Sequence, residues 1–117
     1  MKAISKDQAL ACVTDQEFGS DICGSDRNVA VILTKSWCPQ WLAMKAYLAN
    51  FDGVEIYFLE YDLAGYGDRF RHFKETVFGN DQIPYVRYYR DGQLTGVSNA
   101  VSEDEFRRNC APETRLR

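Results

Sequence analysis

Val29-Ala30-Val31-Ile32-Leu33-Thr34-Lys35-Ser36-Trp37-Cys38-Pro39-Gln40-Trp41 is the stretch that decides the architecture. Its first five residues form an unbroken apolar run rich in β-branched side chains, the pattern of a strand buried on both faces. Polar Thr34-Lys35-Ser36 ends the run. Pro39 then marks the first turn of a helix, where the amide that proline lacks would have no intrahelical partner anyway. The segment reads as strand, turn and helix, with Cys38 at the helix start. A thiol there meets unpaired amides and the positive end of the macrodipole, and both favour the nucleophilic thiolate. Cys38 is therefore the candidate reactive residue; the bland alternative is an inert buried thiol.

Working towards the C-terminus, Leu42, Ala46, Leu48 and Ala49 supply an apolar stripe for this helix, which ends around Phe51-Asp52-Gly53. Val54 to Tyr61 reads as a second strand, rich in branched and aromatic residues. Phe70, Phe73 and Val77 recur at helical spacing and predict a helix that stops near Gly79. Tyr85 to Arg90 reads as a strand, Asp91-Gly92 as a tight turn, and Gln93 to Val97 as the hairpin partner. Ser102 with Glu105 is a capping box opening a last helix to about Cys110. Towards the N-terminus, Ala9 to Val13 reads as an edge strand. Thr14 with Glu17 reads as another capping box, for a helix carrying Phe18 and Ile22 and ending at Gly24. Ser25-Asp26-Arg27-Asn28 is a polar loop. The organisation is a short extension (1–8), one domain (9–111) and a tail (112–117). The order β-α-β-α-β-α-β-β-α implies an α/β fold, a central mixed sheet flanked by helices on both faces.

A chain of 117 residues with 45% hydrophobic content suits one compact domain. A net charge of −3 gives no electrostatic reason to expect nucleic acid or an anionic membrane as partner. No apolar stretch approaches the roughly 20 residues of a membrane span, and Met1 to Gln8 lacks the apolar run of a secretory signal. The expected compartment is the cytoplasm. Cysteines stand at 12, 23, 38 and 110 without a C-x-x-C pair, and His72 is the single histidine, so no metal site is expected. Cys12, Cys23 and Cys110 are expected as buried free thiols. His72 and the basic cluster Arg69, Arg71 and Lys74 read as a solvated helix face.

The ordered set of Trp37-Cys38 at a helix start, Ile83-Pro84 directly before a strand, and the Asp91-Gly92 hairpin followed by an amphipathic helix resembles the thioredoxin family over about Ala9 to Cys110. The resemblance implies a thioredoxin-like fold and a cis peptide bond at Ile83-Pro84. It also implies a groove in which main-chain groups of Ile83 pair with an extended substrate peptide. The substrate-binding set it implies is Trp37, Pro39, Trp41, Ile83, Pro84 and Tyr85 around catalytic Cys38.

Two departures matter. Trp41 stands where the family carries its resolving cysteine, and Ile32 stands where it usually carries a buried aspartate. Trp41 has two readings. Turned outward, it joins Trp37, Pro84 and Tyr85 in an exposed apolar patch; turned inward, it is core beside Met44, Tyr47 and Leu48. The resemblance then implies monothiol exchange. Cys38 forms mixed disulfides with protein or small-molecule thiols, no cofactor is needed, and glutathione is the candidate co-substrate. A monomer is expected. A binding module that holds a partner in the groove and a cysteine redox sensor remain open as alternatives.

Overall fold

The computed structural model describes residues 1–24 and 28–110; residues 25–27 of the expected polar loop, and the expected domain end and tail at 111–117, lie outside the described residues. A five-stranded sheet forms the centre. Strand β2 (Asn28–Thr34) runs parallel to β3 (Val54–Glu60) and antiparallel to β4 (Tyr85–Arg90). Outside these lie β1 (Lys2–Ala3), parallel to β3, and β5 (Gln93–Ser98), antiparallel to β4. The strand order is β1-β3-β2-β4-β5. Helices α1 (Lys6–Asp15), α2 (Ser20–Cys23), α3 (Pro39–Leu48), α4 (Gly67–Thr76) and α5 (Glu103–Cys110) connect and cover the strands, with a short 3-10 turn at Tyr61–Leu63.

The two-residue period of β2 divides the core. Val29, Val31 and Leu33 face one layer with Ala9, Cys12, Phe70 and Phe73 from α1 and α4. Ala30 and Ile32 face the other with Trp41, Met44, Leu48 and Phe106 from α3 and α5. Both faces are thus filled, which is why the β2 sequence is apolar without alternation. At the β4–β5 hairpin, Asp91 and Gly92 both take positive φ, 52° and 78°. Two such residues match the right-handed twist of the strands. Gly67 opens α4 where the 3-10 turn folds against it, and a Cβ there would run into the main-chain carbonyl oxygen of Tyr61.

The N-terminal quarter differs from its sequence reading. Ala9 to Val13 is not an edge strand but the middle of α1, with Ala9 and Cys12 on its buried side. The capping box is Ser5 with Gln8: Gln8 N–H donates to Ser5 Oγ at 3.1 Å and Ser5 N–H to Gln8 Oε1 at 2.9 Å. Thr14 instead lies inside α1 and donates to the Leu10 carbonyl at 3.1 Å. The residues read as an extension, 1–8, supply β1 and the first turn of α1, so a boundary at residue 9 cuts a helix. Lys2 and Ala3 extend the sheet by pairing with Tyr57 and Phe58. Two apolar stripes also shift. In α3 the buried residues are Trp41, Met44 and Leu48, whereas Leu42 is 51% exposed. In α4 the stripe is Phe70, Phe73 and Lys74, with Val77 exposed just beyond the helix.

Candidate functional site

Cys38 is the N-cap residue of α3 and Pro39 occupies the first helical turn. No side chain caps this end, so the amides of Gln40 and Trp41 stand among the helix's unpaired donors beside the sulfur. The preceding turn is fastened at two points. Cys38 N–H donates to the Lys35 carbonyl at 3.2 Å. Ser36 donates from its N–H and its hydroxyl to the two carboxylate oxygens of Asp62, at 2.8 and 2.7 Å. Slight burial opposes the charged form of Asp62, but these two hydrogen bonds outweigh it and hold the carboxyl below its usual range.

Cys38 is only 3% exposed and belongs to the α3–α5 core layer, where Ile32 is fully buried. The free edge that an exposed thiol would have is missing; access to the sulfur runs past its neighbours. Trp37 is 62% exposed beside it, with the Lys35 ammonium 5.7 Å from the indole centroid. Pro39 is also exposed, and Leu42 follows one helical turn on.

Of the two sequence readings of Trp41 the structure has the inward one, and no outward patch forms around Trp41 and Tyr85. Trp41 is fully buried, its ring 5.8 Å from that of Phe58 and its Nε1–H donating to Glu60 Oε2 at 2.7 Å. Lys45 Nζ lies 3.3 Å from the same oxygen and 5.3 Å from the indole centroid. Trp41 is therefore core, with a dedicated polar partner for its one donor. Tyr85 is 2% exposed and belongs to the opposite core layer. Its hydroxyl accepts from Arg87 Nη1 at 2.9 Å, while Arg87 also donates to Tyr89 and to Glu17.

Ile83 is half-buried and packs against both core layers; Pro84 is buried, and the Ile83–Pro84 bond is cis. Among the described residues, neither the N–H nor the C=O of Ile83 has a hydrogen-bond partner. Lys74, read from sequence as solvent-facing, is fully buried against this segment, whereas Arg69, Arg71 and His72 are exposed. Lys74 Nζ donates to the carbonyls of Asn80 and Gln82 at 2.8 and 2.7 Å. Burial pushes its ammonium down to about 8; Lys35 adds to this, and Glu75 and Asp81 oppose it. The signal was present in sequence: Lys74 stands four residues after Phe70, on the apolar stripe. Glu60 had no such signal, being tied to Trp41 only through the fold.

A cavity of about 340 Å³ opens beside Trp37, lined among others by Lys35, Asp62, Asp68 and Arg71. Its two cations and two carboxylates suit a small zwitterionic ligand rather than an ion of one sign. The other cysteines are buried. Cys12 and Cys23 lie in the opposite layer, on α1 and α2. Cys110 shares the layer of Cys38 but lies in the field of Tyr88, which pairs with Ala30, four residues down β2 from Thr34. Among the described residues no group of histidine, cysteine and carboxylate side chains could hold a metal. No helix among them is long and apolar enough to cross a membrane.

No protein-family model and no curated sequence matches the chain. Solved structures do. Spinach chloroplast thioredoxin F (short form) is 14% identical, with a TM-score of 0.64 over 97% of this chain and 92% of its own. Thioredoxin from Fasciola hepatica is 14% identical, with a TM-score of 0.60 over the whole of both chains. A buckwheat glutaredoxin–glutathione complex is 18% identical, with a TM-score of 0.58 over 96% of this chain and 94% of its own. At such identities the likeness is one of backbone arrangement, and the fold of this chain is that of thioredoxin.

Proposed function

We propose that the protein carries out thiol–disulfide exchange through Cys38 alone, with glutathione as the thiol that completes the cycle. The observation that carries this reading is Cys38 at the uncapped head of α3, with buried Trp41 filling the position of a resolving thiol. The Cys38 thiolate attacks one sulfur of a mixed disulfide between glutathione and a substrate. A bond forms from Sγ to the glutathione sulfur, the substrate sulfur leaves as thiolate, and water supplies its proton. A second glutathione thiolate then attacks the Cys38-bound sulfur, releasing glutathione disulfide and restoring the Cys38 thiolate. In net terms the mixed disulfide and one free glutathione become the substrate thiol and glutathione disulfide, so one glutathione is oxidised per substrate thiol released. The cavity beside Trp37 supports glutathione as co-substrate, since Lys35 and Arg71 suit its carboxylates and Asp62 or Asp68 its ammonium. The glutathione in the buckwheat glutaredoxin structure supports the same choice.

The test is intact-protein mass spectrometry after incubation with glutathione disulfide, with peptide mapping of the adduct. The expected result is one glutathione per chain, on Cys38, and none on Cys38→Ser. A folded wild type that takes no adduct, or Cys38→Ser that takes as much, overturns the proposal. The first outcome would favour a binding module.

A further inference from the structure

Lys74 is a buried ammonium, and among the described residues no carboxylate pairs with it. Such a group costs far more to bury than an apolar side chain of equal length, so a core that needed only volume would carry methionine there. Its acceptors all belong to one short stretch: the Asn80 carbonyl at 2.8 Å, the Asn80 amide oxygen at 3.4 Å and the Gln82 carbonyl at 2.7 Å. Residues 80–84 have no helix or strand of their own. They are fastened from the other side by Asn99, whose Nδ2 donates to the Pro84 carbonyl at 3.0 Å and to Asn80 Oδ1 at 3.2 Å. Gln82 N–H donates to the same Asn80 oxygen at 2.9 Å. Ile83 thus sits between two anchored neighbours, while its own N–H and C=O have no partner among the described residues.

We propose that Lys74 is a positioning residue for peptide recognition: through the carbonyls of Asn80 and Gln82 it holds the 80–84 segment so that the open main-chain edge of Ile83 pairs with an extended, cysteine-bearing peptide beside Cys38. The proposal rests on the thiol-exchange reading of Cys38. Main-chain pairing of this kind gives affinity with little sequence preference. Loss of the anchor lets residues 80–84 sample other conformations, and the ordering cost then falls on binding. The substrate class is an unfolded or loop segment carrying a disulfide, rather than a small disulfide without a peptide backbone.

The experiment compares wild type, Lys74→Met and Lys74→Arg on two substrates: hydroxyethyl disulfide, which has no main chain, and a capped Val-Thr-Cys-Thr-Val peptide joined to glutathione. With hydroxyethyl disulfide, all three are expected to react at Cys38 within twofold of one another. With the peptide, Lys74→Met is expected to raise KM about tenfold with kcat changed less than twofold. Lys74→Arg, which keeps the donors, is expected to stay within threefold of wild type. An unchanged peptide KM in folded Lys74→Met, or an equal loss on both substrates, overturns the positioning role. If Lys74→Met does not fold, Lys74→Gln carries the same comparison. Absence of any reaction of wild type with hydroxyethyl disulfide would instead sink the exchange reading. In that case binding of the serine-substituted peptide, followed at the Ile83 amide by NMR, still decides on Lys74: a Kd that Lys74→Met leaves unchanged, or no binding to wild type, overturns the proposal.

Discussion

Replacing Trp41 by cysteine is expected to cost about 3–5 kcal/mol of folding stability, the range for deleting a fully buried large aromatic side chain. The indole is completely enclosed, its ring lies against Phe58, and its donor is matched to Glu60. A thiol at position 41 fills little of that volume and leaves the Glu60 carboxylate without its indole partner. For a domain of this size the loss corresponds to a fall of roughly 12–25 °C in the thermal midpoint. The chemistry is expected to move the other way. Position 41 is three residues after Cys38 on the same helix, so a thiol there can attack a mixed disulfide formed at Cys38. Wild type is expected to be a poor dithiol reductase with dithiothreitol as electron source, and Trp41→Cys to gain activity at temperatures where it stays folded. The gain is expected to be slow, because Ile32 offers no carboxylate to take the second thiol's proton. Equal activity in both proteins, or a stability loss below about 1 kcal/mol, would contradict this account of Trp41.

The second large effect is alkaline. Burial pushes the thiols of Cys12 and Cys110 up to about 12. Burial also raises Cys23, and pushes the Tyr61 phenol to about 12. A group whose folded value is raised keeps its proton longer in the native state than in the unfolded chain. Its contribution is therefore fully present below the unfolded value, near 9, and is lost as pH rises towards 12. Three units on each of Cys12 and Cys110 amount to roughly 4 kcal/mol apiece, together comparable with the whole stability of a small domain. Lys74 has the opposite sign. Its ammonium is held down to about 8, so between about 8 and 10.4 the unfolded chain binds more protons and stability rises by about 3 kcal/mol. Urea midpoints under reducing conditions are thus expected to rise slightly from pH 8 to 9 and then fall steeply to pH 11. Cys12→Ala with Cys110→Ala is expected to flatten the fall. A wild-type midpoint constant between pH 9 and 11 would refute the assignment.

Much of the architecture is legible in sequence where the signals are local. The apolar run of β2, Pro39 after Cys38, and Asp91-Gly92 between two strands each identify an element without help from elsewhere, and the structure has each of them. The N-terminus was less legible because Ala9 to Val13 is too short and too uniformly apolar to separate strand from helix by period. The deciding signal lay upstream, in Ser5 with Gln8, and Thr14 with Glu17 imitated it. Glu17 is occupied otherwise: it accepts from Phe18 N–H at 2.7 Å and from Arg87 at 2.6 Å. The site was legible to the same degree. Cys38 and Ile83 are marked by their immediate neighbours. The direction of Trp41 depends on Glu60, 19 residues away, and that of Tyr85 on which layer β4 turns it towards. Such pairings are decided by the tertiary fold and leave no periodic trace.

The two tryptophans give the molecule an optical consequence. Trp41 is sealed in the core and Trp37 lies open beside the thiol. Trp41 is expected to emit at shorter wavelength and to be shielded from iodide, while Trp37 emits at longer wavelength and is quenched. Because Trp37 directly precedes Cys38, a group attached to the sulfur changes the surroundings of the exposed indole. Modification of Cys38 is then read in the quenchable part of the fluorescence, and unfolding in the loss of shielding of the enclosed part. The chain carries its own optical reporter of integrity, with no added label.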